Sequence, residues 1–367
     1  ENEELRNEIY EMMHFWLKKG IDGFRMDVVN LIKKIPGFPD AENPQDISYL
    51  GNNPGVHDFL QEMNQKVLQH YDVFTVGEIP FVQPEDGVLY VGKDRNELST
   101  LFHFEVCDDM TTMDVRRFKE IQKRWYEGMW GKGWNSQFLN NHDHTRLVTR
   151  FGNDGTYRVE SAKMLATVLH TLPGMPYIFQ GEEIGMTGIS FDTIEEYDDI
   201  ALKNKYREKV QNGEDPKVVL KELQLLARDN SRTPVQWNDS KHAGFTSGTP
   251  WIKVNPNYKH INVTQAMGDP NSVFSYYQSL ILLRKQYKVF VYGELTTYED
   301  DHDSLYMYKR ATSEESVLVV CNMSENEIDV ILPIPVKAIL LSNYEVENEL
   351  SESLRLRSYE ARIYRVK

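Results

Sequence analysis

Short apolar segments that end in acidic residues, separated by amphipathic helices, constrain the fold of this chain most. Asp27 follows GIDGFRM, Glu78 follows DVFTVG and Asp143 follows SQFLNNH. Strands and helices alternate through roughly 270 residues, which predicts a parallel sheet. Because polar chemistry recurs at several strand ends and not at one switch point, we favour a (β/α)8 TIM barrel, although an open doubly wound sheet fits the alternation equally well.

The apolar periodicity assigns individual elements along the barrel portion of the chain. Helices are predicted over residues 3–19, 58–71, 113–126, 160–172 and 272–287. Strands are predicted over residues 21–27, 73–76, 101–104, 136–139 and 177–179. The polar run QGEE at 180–183 follows the fifth predicted strand. It is either site chemistry or a helix N-terminus, where the helix dipole favours acidic residues.

Two further stretches depart from this alternation. Residues 187–250 contain a charged helical stretch followed by turn formers and aromatics, which predicts an irregular insertion. Such a long connection is usually functional. From residue 288 onward, β-rich runs recur at close spacing, which predicts a small antiparallel β-domain of the sandwich type. The predicted domains are therefore residues 1–287, belonging to the barrel, and residues 288–367.

Composition excludes several function classes. The net charge of −15 and the absence of a basic stripe argue against nucleic acid as a partner. No apolar run approaches the ~20 residues that a membrane helix requires. Only Cys107 and Cys321 occur, neither at metal-ligand spacing, so we expect a reducing, cytoplasmic compartment. No glycine-rich phosphate loop follows a predicted strand, which argues against an open-sheet nucleotide-binding function.

An arginine lies close in sequence to Asp27, the first of the three acidic residues. Arg25 and Asp27 are two residues apart, and such positions share one face of a strand. An adjacent guanidinium keeps an aspartate ionised, which a nucleophile requires. The alternative is an Arg–Asp pair that only stabilises the strand.

The other two acidic positions suggest different roles. Glu78 follows an apolar strand, and an apolar setting raises the pKa of a carboxyl, which suits a general acid. Its alternative is an exposed loop glutamate. Asp143 lies between His142 and His144, so it could bind sugar hydroxyls or stabilise a developing positive charge. A metal bound by His-Asp-His competes with that interpretation, but adjacent residues point to opposite faces of a strand.

In this order, the segments GFRMDV, TVGEIP and FLNNHD resemble signature regions of the α-amylase superfamily of glycoside hydrolases. YIFQGEEIGM and ARDNSRTPVQW are similar to its oligo-1,6-glucosidase and α-glucosidase subgroup, and the resemblance covers essentially the whole chain. It implies that Asp27 is the nucleophile, Glu78 the acid/base catalyst and Asp143 the transition-state stabiliser. Two carboxylates that flank one bond are what glycoside cleavage requires.

The resemblance also implies substrate-binding residues. Arg25, His142 and Arg228 would contact the glucose that is released, with Arg232 as a weaker candidate. Val28 follows the predicted nucleophile, and in this subgroup a valine there accompanies α-1,6 linkages, whereas alanine or threonine accompanies α-1,4 linkages. The effect is steric, because a branched side chain beside the nucleophile reshapes the neighbouring sugar site.

The function that this resemblance implies is retaining hydrolysis of terminal α-1,6-linked glucose from isomaltose and short isomalto-oligosaccharides. Alternatives are a related α-glucosidase, a trehalose-6-phosphate hydrolase, a dextran glucosidase, or a glucosyltransferase or isomerase. Sucrose isomerases carry an RLDRD-type stretch before the third acid. This chain has EVCDDMTTMDVRRF there, which disfavours a sucrose isomerase. A non-catalytic scaffold relative is disfavoured, since such proteins have lost carboxylates that this chain keeps.

Family members begin with three more strands, an Asn-His motif and often a calcium loop, none of which this sequence contains. We therefore expect an incomplete barrel of later strands only, inactive alone unless a separate N-terminal barrel segment completes it. Unpaired parallel strands would leave an exposed sheet edge. No cofactor or metal site is expected in this chain, and a calcium site would lie in the missing part.

Overall fold

The computed structural model describes residues 1–43, 46–346 and 350–366. The chain divides into two compact units. Unit 1 comprises Glu1–Asp108 and Glu120–Gln137, and unit 2 comprises Asp109–Lys119 and Phe138–Lys367.

Unit 1 contains a parallel sheet flanked by helices. Its strands are β1 (Gly23–Met26), β2 (Phe74–Glu78), β3 (Thr100–Phe102) and β4 (Ser136–Gln137). The first three form one parallel sheet in the order β1-β2-β3, and Asn135 bridges in parallel to Leu101 of β3. The helices of this part of the chain are α1 (Glu3–Lys18), α2 (Val56–Lys66), α3 (Pro84–Val91), α4 (Glu105–Asp109) and α5 (Val115–Met129). The residues of α5 up to Lys119 belong to unit 2.

Local sequence explains the start of this unit. Asn2 caps α1 by accepting the Leu5 N–H, and the helix ends just before Gly20, as predicted. Gly23 opens β1 with a φ of 153°, and a Cβ there would lie 1.7 Å from the Phe74 carbonyl oxygen. Glycine therefore permits the close approach of β1 to β2. Each strand end then lies where the sequence pattern predicts it, within a few residues.

Unit 2 begins with helices and continues into the insertion. The first elements are α6 (Leu147–Phe151), α7 (Arg158–Thr171) and β5 (Met175–Pro176). The insertion and its surroundings hold α8 (Ile200–Gln211), α9 (Pro216–Leu223), α10 (Asp229–Arg232) and α11 (Val263–Gly268), and α12 (Val273–Gln286) and α13 (Val289–Tyr292) follow. The helices of the predicted insertion enclose an apolar core of their own around Tyr197, Val219 and Leu223.

The predicted fifth strand at 177–179 is wrong. The strand in this region is the two-residue β5, which ends at Pro176. Proline has no N–H to continue a ladder. The carbonyl of Phe179 instead accepts the Glu182 N–H in a turn, so this apolar run forms a turn and not a strand.

The end of the chain forms an antiparallel sheet. Its strands are β6 (Glu294–Tyr298), β7 (Leu305–Ala311), β8 (Ser316–Asn322), β9 (Ile328–Ile331), β10 (Ala338–Ser342), β11 (Ser353–Leu356) and β12 (Ala361–Arg365). Five strands follow the order β10-β12-β8-β7-β6, and β9 pairs with β11. Leu318 of β8, Val330 of β9 and Leu356 of β11 share one apolar core. The predicted antiparallel β-structure is confirmed.

Two further observations concern the whole described chain. No described helix has both the length and the apolar character needed to cross a membrane. Cys107 and Cys321 are both buried, and neither forms a disulfide within the described ranges.

Candidate active site

Two carboxylates meet one guanidinium at the carboxyl end of the unit 1 sheet. β1 and β2 are parallel, with Met26 opposite Gly77, so Asp27 and Glu78 emerge at the same edge. Arg25 donates from Nη1 to Asp27 Oδ1, and its Nη2 lies 2.5 Å from Glu78 Oε2. The predicted Arg25–Asp27 pair is therefore present, and the guanidinium joins the second carboxylate as well.

The two carboxylates experience different environments. The Asp27 side chain is 77% exposed, whereas the Glu78 side chain is 12% exposed. Burial, together with the neighbouring carboxyl of Asp27, raises the pKa of Glu78 above its ordinary value. The Val28 N–H and the Arg25 guanidinium only partly oppose this rise. An accessible carboxylate beside a partly buried carboxyl of raised pKa matches the division between nucleophile and general acid.

Val28 adopts a backbone conformation that β-branched residues rarely take. Its φ of 34° and ψ of 46° lie in the left-handed region. Such a conformation costs about 1–3 kcal/mol and is usually found at functional sites. It directs the Val28 N–H toward Glu78 Oε2 at 3.2 Å. The strained residue thus links the turn after β1 to the carboxyl at the end of β2.

Asn30 fixes this turn, and sequence reasoning did not single it out. Its buried Nδ2 donates to the Pro80 carbonyl at 2.7 Å and to Asn52 Oδ1 at 3.2 Å. The loop after β1 is thereby tied to the loop after β2. The run VVNL contains no signal for this role, because the partner is 50 residues away.

A second group of predicted residues gathers around Asp143 in unit 2. Arg232 Nη2 lies 2.6 Å from Asp143 Oδ1, and Arg228 Nη1 lies 3.8 Å from the same oxygen. His142 Nε2 is 3.4 Å from Asp143 Oδ2. The family resemblance favours Arg228 over Arg232 as a substrate-binding residue, but Arg232 makes the closer contact with the Asp143 carboxylate. It also donates from Nε to the His142 carbonyl at 3.0 Å.

A buried guanidinium holds this second group together. Arg146 donates to the carbonyls of Asn230, Thr233 and Gln180 at 3.2, 3.4 and 2.5 Å. Burial lowers the pKa of Arg146 to about 10. Because two of its acceptors lie in or next to α10, Arg146 fixes the helix that carries Arg232 against the Asp143 segment.

The geometry does not support a metal bound by His-Asp-His. His142 faces Asp143, whereas His144 Nδ1 pairs with Asn141 Oδ1 at 2.7 Å. Burial, and then the Arg150 charge, lower the pKa of His144 to about 4. Within the described ranges, no group of three or more His, Cys, Asp or Glu residues could hold a metal ion.

The QGEE run at residues 180–183 forms a short turn, which is a structural role. Glu183 accepts the Gly181 N–H at 2.8 Å, in a short 3-10 turn over Glu182–Ile184. Glu182 is buried, and neither carboxyl oxygen has a hydrogen-bond partner among the residues that the structure describes. Burial, and then the Glu183 charge, raise the pKa of Glu182 to about 8.

Because Glu182 is buried with a raised pKa, the free energy of unfolding should fall as the pH rises. The folded protein binds the Glu182 proton more tightly than the unfolded chain, so its stabilising contribution is complete below the ordinary pKa and is lost toward pH about 8. The slope can reach about 1.4 kcal/mol per pH unit. We expect Glu182→Gln to flatten the dependence of the unfolding free energy on pH, measured by urea denaturation. Glu195→Gln, at an exposed acid of the same unit, is the matched control, and an equal flattening there would contradict the assignment to Glu182.

Comparison with known proteins shows which family this chain matches. Residues 1–293 match the family described as alpha amylase, catalytic domain, and residues 305–363 match the alpha-amylase SusG C-terminal domain. An oligo-1,6-glucosidase of Parageobacillus thermoglucosidasius is 50% identical over 100% of this chain and 69% of its own length.

Solved structures agree with this match. A trehalose-6-phosphate hydrolase of Bacillus licheniformis has a TM-score of 0.94 at 40% identity, over 99% of this chain and 68% of that one. An isomaltulose synthase of Klebsiella sp. has a TM-score of 0.95 at 36% identity, over 100% of this chain and 69% of that one.

Proposed function

Because the chain belongs to the α-amylase family, with its TIM-barrel catalytic domain and C-terminal antiparallel β-domain, we propose that it is a retaining α-glucosidase. Its substrates would be isomaltose and short isomalto-oligosaccharides, from which it releases terminal α-1,6-linked glucose. The observation that carries the proposal is the pair Asp27 and Glu78, joined by Arg25 at the ends of neighbouring parallel strands. Retaining glycosidases keep their two carboxyls ~5–5.5 Å apart, closer than inverting enzymes do.

The two carboxyls have complementary roles in this mechanism. Asp27 attacks the anomeric carbon while Glu78 protonates the glycosidic oxygen, which leaves with the departing sugar. Glu78, now ionised, removes a proton from water, and the resulting attack releases glucose from Asp27. The raised pKa of Glu78 favours the protonated form that the first step needs. By resemblance, Asp143 stabilises the positive charge of the transition state, with Arg232 holding its carboxylate.

Two features support an α-1,6 preference. The first is Val28, whose branched side chain follows the nucleophile on a strained backbone. The second is the 50% identical relative named as an oligo-1,6-glucosidase. Arg25, His142 and Arg228 would bind the released glucose.

We also propose that a further segment completes the barrel at β1, with the β-domain starting near residue 288. Within the described ranges, β1 pairs only with β2, which leaves its other edge without a strand. In the same unit, α1 exposes large apolar side chains at helical spacing, namely Leu5, Ile9, Met12, Phe15 and Trp16. An exposed apolar helix face and a sheet edge without a strand in one unit both favour a covering segment. Hydrolysis of isomaltose by the isolated 367-residue chain would contradict this proposal.

The function is tested with the complete enzyme, meaning this chain together with the segment that completes its sheet. We expect kcat/KM for isomaltose to exceed that for maltose and trehalose 6-phosphate by roughly 10-fold or more. Val28→Ala should move the ratio toward maltose, because it removes the branched side chain beside the nucleophile. Val29→Ala is a neighbouring control that should leave the ratio unchanged. Preference for trehalose 6-phosphate in the unaltered enzyme would instead support the phosphorylated-sugar alternative.

A further inference from the structure

A cavity of about 200 Å³ lies within unit 2, between the starts of α7 and α12. Arg158 and Val159 of α7 form one wall, and Val273 with the residues just before α12 forms another. The remaining wall includes Ile184 and residues of the stretch 260–266, which contains the start of α11. The described lining residues include none that we propose for catalysis or glucose binding, so this cavity would serve a ligand other than the reacting sugar.

The guanidinium of Arg158 has an unused edge. Its Nη1 donates to the carbonyls of Ile184 and Gly185 at 3.2 and 3.0 Å, which fixes the side chain in place. Nε and Nη2 donate to no acceptor among the residues that the structure describes, and neither is among the fully buried polar atoms without a partner. Both nitrogens are therefore accessible. Their N–H groups point the same way, at the spacing of two oxygens of a carboxylate or phosphate.

Two other buried arginines of unit 2 use their donors differently. Arg146 donates from Nε, Nη1 and Nη2 to backbone carbonyls. Arg310 uses the same three nitrogens for the carbonyls of Thr171 and Gly293. Neither arginine keeps a free edge, whereas Arg158 keeps one and also lines a cavity. The free edge of Arg158 is therefore the group that a ligand in this cavity would contact.

The positive charge of Arg158 has no anion in contact with it. Within the described part of the chain it forms no ion pair, and burial lowers its pKa, with the Glu160 charge opposing this only in part. Lys163 of the same helix is also buried, and its Nζ donates to the Asn271 carbonyl at the cavity wall, at 2.6 Å. Burying a cation without a contacting anion costs free energy, and a bound anion would reduce that cost.

The other lining groups favour a small ligand with an oxyanion. The side-chain amide of Asn271 makes no hydrogen bond within the described ranges, so it can donate to an oxyanion. Asp269 is an acid in the wall, but its Oδ1 accepts the Asn271 N–H at 2.8 Å and its exposed side chain is screened by solvent. The volume lies below the ~300–1,000 Å³ of pockets for drug-sized ligands.

We propose that this cavity binds a small ligand through a phosphate or carboxylate group, held by Nε and Nη2 of Arg158 and by the Asn271 amide. The inference is independent of the proposed function, since it uses neither the catalytic carboxyls nor the glucose-binding residues. A ligand bound there would join the first turn of α7 to the loop before α12.

Calorimetric titration of the complete enzyme with inorganic phosphate tests this proposal, and a titration with acetate distinguishes phosphate from carboxylate. The ionic strength is held constant with sodium chloride. We expect saturable binding of at least one anion. Arg158→Lys, which keeps the charge but removes the paired donors, should raise its Kd roughly 10-fold. Asp269→Asn removes an opposing charge and should lower the Kd. Asp239→Asn, at an exposed acid outside the cavity, is the matched control and should leave the Kd unchanged.

Several results would overturn the proposal. One is the absence of saturable binding of both anions, and another is a Kd that a folded Arg158→Lys enzyme leaves unchanged. An anion could instead bind beside Asp143, so Arg228→Lys is titrated in parallel. A Kd raised by Arg228→Lys and not by Arg158→Lys would place the anion there. Asn271→Leu, which removes the amide donor at an exposed position, repeats the test should Arg158→Lys unfold, and an unchanged Kd in that variant would also overturn the proposal.

Discussion

Replacing Asp27 by asparagine is expected to lower kcat/KM for isomaltose by at least about 10⁴-fold, because an amide cannot form the glycosyl ester. The Asp27 side chain is 77% exposed, so the melting temperature should change little. The measurement is steady-state hydrolysis alongside thermal unfolding. Asp22→Asn, at an exposed acid just before β1, is the matched control and should retain activity.

A chemical rescue strengthens this prediction. Asp27→Gly leaves space where the carboxylate was, and azide with α-glucosyl fluoride should then give the inverted β-glucosyl azide. If Asp27→Asn keeps more than a small fraction of the activity, the carboxylate is not the nucleophile. If azide gives no inverted product with Asp27→Gly, that assignment loses its support as well.

Replacing Glu78 by glutamine should have a large effect that depends on the leaving group. We expect kcat/KM for isomaltose to fall by about 10²–10⁴-fold, the contribution of a positioned general acid. Cleavage of α-glucosyl fluoride to form the covalent intermediate should fall much less, since fluoride leaves without a proton. Equal losses for the two substrates would contradict the role of Glu78 as general acid.

The pH dependence follows from the same residue. Glu78 acts first in its protonated form, so isomaltose hydrolysis should decline as the pH rises through its pKa. Burial beside Asp27 raises that pKa, which extends activity toward neutral pH. Glu78→Gln should remove the alkaline limb of kcat/KM for isomaltose, and a limb that persists would belong to another group.

Sequence reasoning succeeded where local pattern determines structure. An apolar run followed by a turn placed Asp27 and Glu78 at strand ends, and the spacing of two placed Arg25 beside Asp27. The second contact of Arg25, to Glu78, depends on the register between two parallel strands. The partners are 53 residues apart, so no local pattern shows it.

The remaining discrepancies have related causes. Left-handed backbone is unfavourable for valine, so intrinsic preference argues against the conformation that Val28 adopts. Arg232 lies 89 residues after Asp143, whose carboxylate it contacts. Tertiary packing brings Arg232 closer to this carboxylate than Arg228, and no local pattern shows that. The apolar run at 177–179 has strand composition, but the Phe179 carbonyl accepts a turn hydrogen bond. The next carbonyl, that of Gln180, accepts from the buried Arg146 guanidinium.

In the proposed mechanism, Asp27 and Glu78 catalyse hydrolysis by double displacement, which retains the anomeric configuration. The most direct test is proton NMR of isomaltose hydrolysis by the complete enzyme, recorded faster than glucose mutarotates. The mechanism predicts that the first glucose released from the non-reducing end is the α-anomer. The β-anomer as first product would show single displacement and would contradict the assignment of Asp27 as nucleophile.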